Sequence, residues 1–146
     1  NNSSLVARPL GRFRWVTCAS PDYLREYGVP PSPEALSQHR AVHYFSGQAR
    51  RADEFRFVRH GETFSVPVSG NAAVNETGLY IKMCLAGFGL AQLAENIVAD
   101  HLQEGRLVEV LTDWQPPPVP VTLLYPHQRF LSPAVRAFAE WMSEVV

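Results

Sequence analysis

The run CLAGFGLAQLAEN, Cys84 to Asn96, carries two glycines one residue apart in apolar surroundings, the outline of a loop that cradles a phosphate. A dinucleotide fingerprint needs a strand before the glycines, a helix after them and a third glycine three positions past the second. Position 92 is Gln, and the order of elements is the reverse. Leu79, Met83 and Ala86 recur at three- and four-residue steps ahead of Gly87, which predicts a helix running into the glycines. Phe88 to Leu93 reads as a short buried strand. Gly87 then stands just past a helix end, where a left-handed backbone is needed and Gly takes it without strain. Helix, glycine turn, strand is a structural reversal and excludes the nucleotide reading.

The chain of 146 residues is long enough for one domain or two small lobes. Thirteen Lys and Arg against fourteen Asp and Glu leave a net charge of −1, so no overall field favours nucleic acid or an anionic membrane. No apolar run reaches the roughly 20 residues of a membrane span. The start, NNSSLVARPLGR, lacks the basic head and apolar body of a signal peptide, although Asn1 need not be a native start. Cys18 and Cys84 have no metal spacing and read as small buried hydrophobes in a reducing, cytoplasmic compartment.

Along the chain, Arg12 to Ala19 predicts a strand, and Ser20-Pro21-Asp22 a helix start with Ser as the cap. Tyr23, Leu24 and Tyr27 pack that helix, and Gly28 ends it. Ser32-Pro33 repeats the signal for a single turn. Ala41 to Phe45 reads as a strand opening into a polar loop at Ser46 and Gly47. Phe55 and Phe57, then Phe64, Val66 and Val68, alternate about His60-Gly61 as a β-hairpin. The stretch 70–75 reads as connection, leading into a helix at Glu76-Thr77. Asn96 is expected to cap the next helix, Gly105 to stop it, and Arg106 to Leu111 to form a strand. Four prolines between Pro116 and Pro120 demand an extended connector. Val121 to Tyr125 gives a last strand, and Ser132 to Val146 a helix with Val135, Phe138 and Met142 on one apolar face. Alternating strands and helices predict an α/β fold with parallel strands flanked by helices.

No catalytic or metal constellation emerges. The five histidines fall in different elements at no shared spacing, and no nucleophile elbow is present. In a parallel α/β sheet, ligands bind at the carboxyl ends of strands, where helix N-termini offer free N–H donors. Phe45-Ser46-Gly47 and Asn75-Glu76-Thr77 are two such places, with hydroxyls and an amide suited to a small polar or anionic molecule. A turn role for Ser46 and a capping role for Thr77 account for the same residues.

The combination of CASPDYL, LAGFGLAQLAEN, EGRLVEVL and LYPHQRFLSPAVRAF resembles the effector-binding domain of LysR-type transcriptional regulators over nearly the whole chain. The resemblance implies a bilobed α/β fold of the periplasmic-binding-protein type 2 kind, with lobe II complete and only the last strand and helix of lobe I. Residues 1–9 would form a connecting strand from lobe I, 10–116 lobe II, and 117–146 the crossover with the closing strand and helix. It implies a small-molecule effector held between lobes by Phe45, Ser46, Gly47, Asn75, Glu76 and Thr77 on the lobe II side. It also implies no cofactor or metal, no catalysis, a homo-oligomer (a dimer, with a tetramer in the parent), and DNA contact through an N-terminal helix-turn-helix outside this sequence. The apolar stripe on the last helix predicts self-association. The rival reading is a solute-binding protein of a transporter, which shares the cleft but requires export and complete lobes.

Overall fold

A computed structural model of the chain describes residues 5–45 and 54–126, together with Ala137 and Trp141. Its contacts divide it into two compact units, Arg14–Pro117 and a second made of Asn1–Phe13 with Pro118–Val146. The chain enters on strand β1 (Leu5–Phe13) of the second unit. The strand expected over residues 12–19 is broken at Arg14, where the first unit begins with β2 (Trp15–Ala19). Arg14 is anchored within the first unit. Its carbonyl accepts the Glu95 N–H at 2.9 Å, and its guanidinium pairs with Glu95 at 2.9 Å and Glu109 at 2.6 Å.

Helix α1 (Pro21–Tyr27) opens as its sequence predicts: the Ser20 hydroxyl accepts the Tyr23 N–H at 3.1 Å, and Gly28 closes it at φ 85°. A 3-10 helix (Pro33–Gln38) follows. The Ser32 hydroxyl makes no capping bond there, contrary to expectation. Strand β3 (Arg40–Tyr44) leads to the hairpin of β4 (Glu54–Arg59) and β5 (Glu62–Pro67). Its turn residues His60 and Gly61 both have positive φ, 53° and 79°, the backbone that matches the twist of paired strands.

Residues expected to be connection form β6 (Ser69–Val74), which pairs in parallel with β3. Its sequence, SGNAAV, is nearly devoid of β-formers, so neighbours rather than propensity decide it. The decisive one is Gly70, where a Cβ would lie 2.0 Å from the Ala41 carbonyl oxygen. Helix α2 (Thr77–Leu85) ends as predicted: Gly87 sits at φ 88°, its N–H donating to Cys84 O at 3.0 Å while Phe88 N–H reaches back to Met83 O at 3.1 Å. These two bonds satisfy the last carbonyls of the helix in a Schellman turn.

Strand β7 (Ala91–Ala94) runs straight into helix α3 (Glu95–Gln103). Asn96 does not cap α3. Ala94 occupies the cap position without a side-chain bond, and Asn96 lies in the first turn. Strand β8 (Val108–Val110) is shorter than the stretch from Arg106 to Leu111 predicts.

Strand β2 lies between β7 and β8, antiparallel to both. Leu90, just before β7, lies parallel beside Ala41 and joins these strands to β3 and β6, exchanging bonds of 2.8 and 2.9 Å with Val42 and Arg40. The pairing is therefore mixed, and parallel only around β3. Successive side chains of a strand point to opposite faces, so each strand feeds two cores. Val16, Cys18 and Val42 enter one core with Tyr80, Cys84 and Val98 from α2 and α3. Ala19 and Ala41 enter another with Tyr23, Leu36 and the hairpin's Phe55, Phe57, Val66 and Val68. A hairpin thus covers much of the face where helices were expected.

The connector 112–118 is irregular yet not free, because the Gln115 carbonyl accepts the Val58 N–H at 2.8 Å. In the second unit, β9 (Val119–Pro126) pairs antiparallel with β1 from Leu5↔Pro126 to Phe13↔Val119, with a bulge between Pro9 and Gly11. Of the predicted last helix, Ala137 and Trp141 are helical. Val135, Phe138 and Met142 lie outside the described residues.

Candidate functional site

Strands β3 and β6 run in parallel with Val42↔Ala72, His43↔Ala73 and Tyr44↔Val74 opposite one another. Their carboxyl ends therefore finish side by side. The Phe45 N–H extends the pairing by one bond, donating to Val74 O at 3.0 Å. From there one strand leads towards Ser46 and Gly47, which lie outside the described residues. The other continues through Asn75 and Glu76 to Thr77, the first residue of α2. Four of the six residues nominated from the sequence are described, and the fold brings Phe45, Asn75, Glu76 and Thr77 to this one end, all exposed.

Glu76 is the cap of α2, a role the sequence reading considered for Thr77. Its carboxylate accepts the N–H groups of Gly78 at 2.9 Å and Leu79 at 2.8 Å. Both bonds favour the ionised form and hold the carboxyl below its ordinary value. Gly78 leaves this carboxylate room, since a Cβ there would stand 3.2 Å from it. Two of the donors expected to be free at the start of α2 are thus already engaged. This end of the helix presents a negative charge with outward lone pairs, not an open anion cradle.

Sequence reasoning missed Tyr44. Its hydroxyl lies 3.4 Å from the Thr77 hydroxyl, and its ring packs 5.1 Å from that of Tyr80, whose own hydroxyl accepts the Gln92 N–H at 2.9 Å. The clue available was its place beside Phe45 at the end of AVHYF. Asn75 offers an amide, Tyr44 and Thr77 hydroxyls, Glu76 a carboxylate and Phe45 an aromatic surface: groups that bind and orient, with no nucleophile and base in contact.

An open groove of about 470 Å³ lies elsewhere, between α3 and β8, lined by Glu95, Leu102, Leu107, Val108 and Glu109. None of the nominated residues lines it, and the strand ends carry the denser polar chemistry. Among the described residues, no three His, Cys, Asp or Glu side chains gather as a metal ion requires. No described helix is long and apolar enough to cross a membrane.

Comparison with known proteins follows the same architecture. Residues 1–146 match the LysR substrate binding domain family along their entire length. The chain belongs to the LysR substrate-binding domain family. Two bacterial relatives of this LysR domain are regulators. It is 34% identical over 142 residues to the HTH-type transcriptional regulator YhjC of Escherichia coli K12, covering 97% of this chain and 48% of that protein. It is 35% identical over 144 residues to an HTH-type transcriptional repressor of Pseudomonas aeruginosa UCBPP-PA14, covering 99% of this chain and 45% of that one. The LysR domain thus spans about half the length of these curated relatives.

Its fold is that of the regulatory domain of CrgA from Neisseria meningitidis, a LysR-type transcriptional regulator, at a TM-score of 0.81, with 24% identity over 99% of this chain and 70% of that one. The full-length Vibrio cholerae virulence activator AphB aligns at 0.75, with 27% identity over 99% of this chain and 49% of that one.

Proposed function

We propose that this LysR domain is the effector-sensing part of a longer transcriptional regulator. It receives a small metabolite at the carboxyl ends of β3 and β6, through Phe45, Ser46, Gly47, Asn75, Glu76 and Thr77. The observation that carries the reading is the parallel register Tyr44↔Val74, which ends two strands together where the chain turns into α2. Ligands of open α/β sheets collect at such ends.

The Glu76 carboxylate narrows the chemistry. With the N–H groups of Gly78 and Leu79 already bonded, the group received here is a donor, an ammonium or a hydroxyl. An acidic group on the same molecule is received elsewhere. The domain is not an enzyme on this reading, since the site binds without an activated nucleophile. It acts in the cytoplasm as a homo-oligomer, a dimer with a tetramer in the parent. DNA is reached through an N-terminal helix-turn-helix of the longer regulator, a part the HTH-type names of its relatives support.

Titration calorimetry of the chain and of the longer regulator against amino acids, polyamines, aromatic acids and sugar acids tests this. An amine-bearing or polyhydroxylated ligand is expected to bind. Thr77→Ala and Asn75→Ala should weaken it at least about tenfold while leaving the melting temperature in place. A ligand whose affinity ignores both substitutions removes these residues from the site.

A further inference from the structure

A second chemistry-bearing cluster lies at the opposite end of β3. The Tyr23 hydroxyl of α1 stands between His39 Nδ1 at 2.8 Å and the Arg40 N–H at 2.9 Å, and both Tyr23 and His39 are buried. An amide N–H can only donate, so the Tyr23 oxygen accepts from Arg40. In the tautomer of neutral His39 that carries its proton on Nε2, the single proton of Tyr23 then goes to Nδ1. This chain of bonds pins the first residue of β3 to α1.

Protonation reverses the polarity of one link. An imidazolium donates from both nitrogens, so its Nδ1–H meets the Tyr23 proton head on. The hydroxyl must turn away or the two rings must part. Either movement leaves a donor without its partner at a mostly buried position, a cost that falls on the Arg40 bond through the shared oxygen.

We propose that His39 is a pH-sensitive latch on β3: neutral, it locks Tyr23 against Arg40, and protonated, it releases the strand that delivers Tyr44 and Phe45 to its far end. The surrounding groups do not rescue the charged form. From α1 come Tyr23 and Tyr27, stacked with ring centroids 4.7 Å apart. From β3 comes Arg40, whose guanidinium sits 5.5 Å over the Tyr27 ring and is itself cationic. From the 3-10 helix comes Glu34, engaged by Arg59 of β4 through two bonds of 2.9 and 3.3 Å. From β5, which packs on that helix, Glu62 is exposed. Burial itself pushes the imidazole below its ordinary value, so the neutral form persists somewhat into the acid range before the latch opens.

The sign follows from linkage. The unfolded chain takes up its proton at the higher pH, so the stabilisation is complete above the ordinary histidine range and drains away as pH falls towards the folded value. The test follows the Arg40 amide of the whole chain by NMR hydrogen exchange from pH 7.5 to pH 5, corrected for intrinsic rates, with the His39 ring titrated in parallel. Arg40 protection should fall at least about tenfold as His39 protonates, and should stay level in His39→Gln, which cannot titrate. Tyr23→Phe should leave Arg40 poorly protected at every pH. A pH-independent Arg40 amide in the wild type overturns the latch, and so does the same acid loss in His39→Gln. Should His39→Gln fail to fold, a Tyr23→Phe chain that keeps the wild-type acid response overturns it equally.

Discussion

The side-chain amide of Gln92 pairs with both backbone groups of Arg56, accepting its N–H at 3.0 Å and donating to its carbonyl at 2.9 Å. Gln92, on β7, thereby stands in for a missing strand along the open edge of β4. The same amide nitrogen lies 3.1 Å from the Thr17 hydroxyl of β2. One residue therefore ties the hairpin, and with it Phe55 and Phe57, to the central strands. Gln92→Leu keeps the volume and removes every side-chain bond. It should destabilise the chain by about 0.5–1.5 kcal/mol in urea unfolding, because the N–H and carbonyl of Arg56 lose their side-chain partner. Gln92→Glu should be no better, since a carboxylate cannot donate to the Arg56 carbonyl. A loss below about 0.5 kcal/mol for both would show that the hairpin is held by its apolar face alone.

Gly70 and Gly89 let neighbouring strands close on β3. A Cβ at Gly70 would stand 2.0 Å from Ala41 O, and one at Gly89 would stand 2.8 Å from Arg40 O, in each case against backbone that cannot swing aside. Gly70→Ala is therefore expected to cost about 3 kcal/mol in thermal or urea unfolding. Gly28→Ala, where the added methyl meets open space and only φ 85° resists, should cost about 1 kcal/mol. Equal costs would mean that β3 and β6 part readily.

The Glu76 cap should be visible in the pH dependence of stability. Its folded carboxyl titrates below its ordinary value of 4.5, so its contribution is present above that value and disappears as pH falls through the folded one. Compared by thermal unfolding, wild type and Glu76→Ala should differ at pH 7 and draw together as pH falls below 4.5. Glu76→Gln retains an acceptor oxygen and should lie between them at pH 7. A constant gap between wild type and Glu76→Ala down to pH 3 would assign the effect to packing rather than capping.

Cys18 and Cys84 are both fully enclosed, the Cys84 thiol donating to the Cys18 carbonyl at 3.7 Å. The neighbouring Cys18 side chain and then burial push the Cys84 thiol well above its ordinary value, so little thiolate forms. A thiol reagent such as DTNB at pH 8 should leave both unmodified in the native chain and label both in denaturant. Rapid labelling of native protein would reveal local opening between α2 and β2.

What the sequence made legible follows from how local each signal is. The reversal at Gly87, the Ser20 cap and the His60-Gly61 turn depend on a few adjacent residues, and each formed as read. The Asn96 cap failed because β7 passes into α3 without a loop, leaving no extended residue for Asn to occupy. Strand β6 was missed because small residues there serve a neighbour's backbone, a requirement invisible in SGNAAV itself. The expectation of an all-parallel sheet followed from alternating elements, and β2, antiparallel to both neighbours, departs from it. At the candidate site, positions 45 and 75–77 were legible as strand and helix ends. That Glu76 turns inward on its own helix was not, since its neighbours Asn75 and Thr77 are the residue types a cap ordinarily uses and Glu is not.

The pairing of Phe13 with Val119 has a consequence for the history of such a chain. Everything from Arg14 to Pro118 departs from one rung of a two-stranded ladder and comes back to its opposite side. A segment with both ends at a single doorway can be excised, replaced or re-joined in a new order without rethreading its host. Genetic exchange can therefore treat residues 14–118 as a cassette while the flanking ribbon is inherited unchanged.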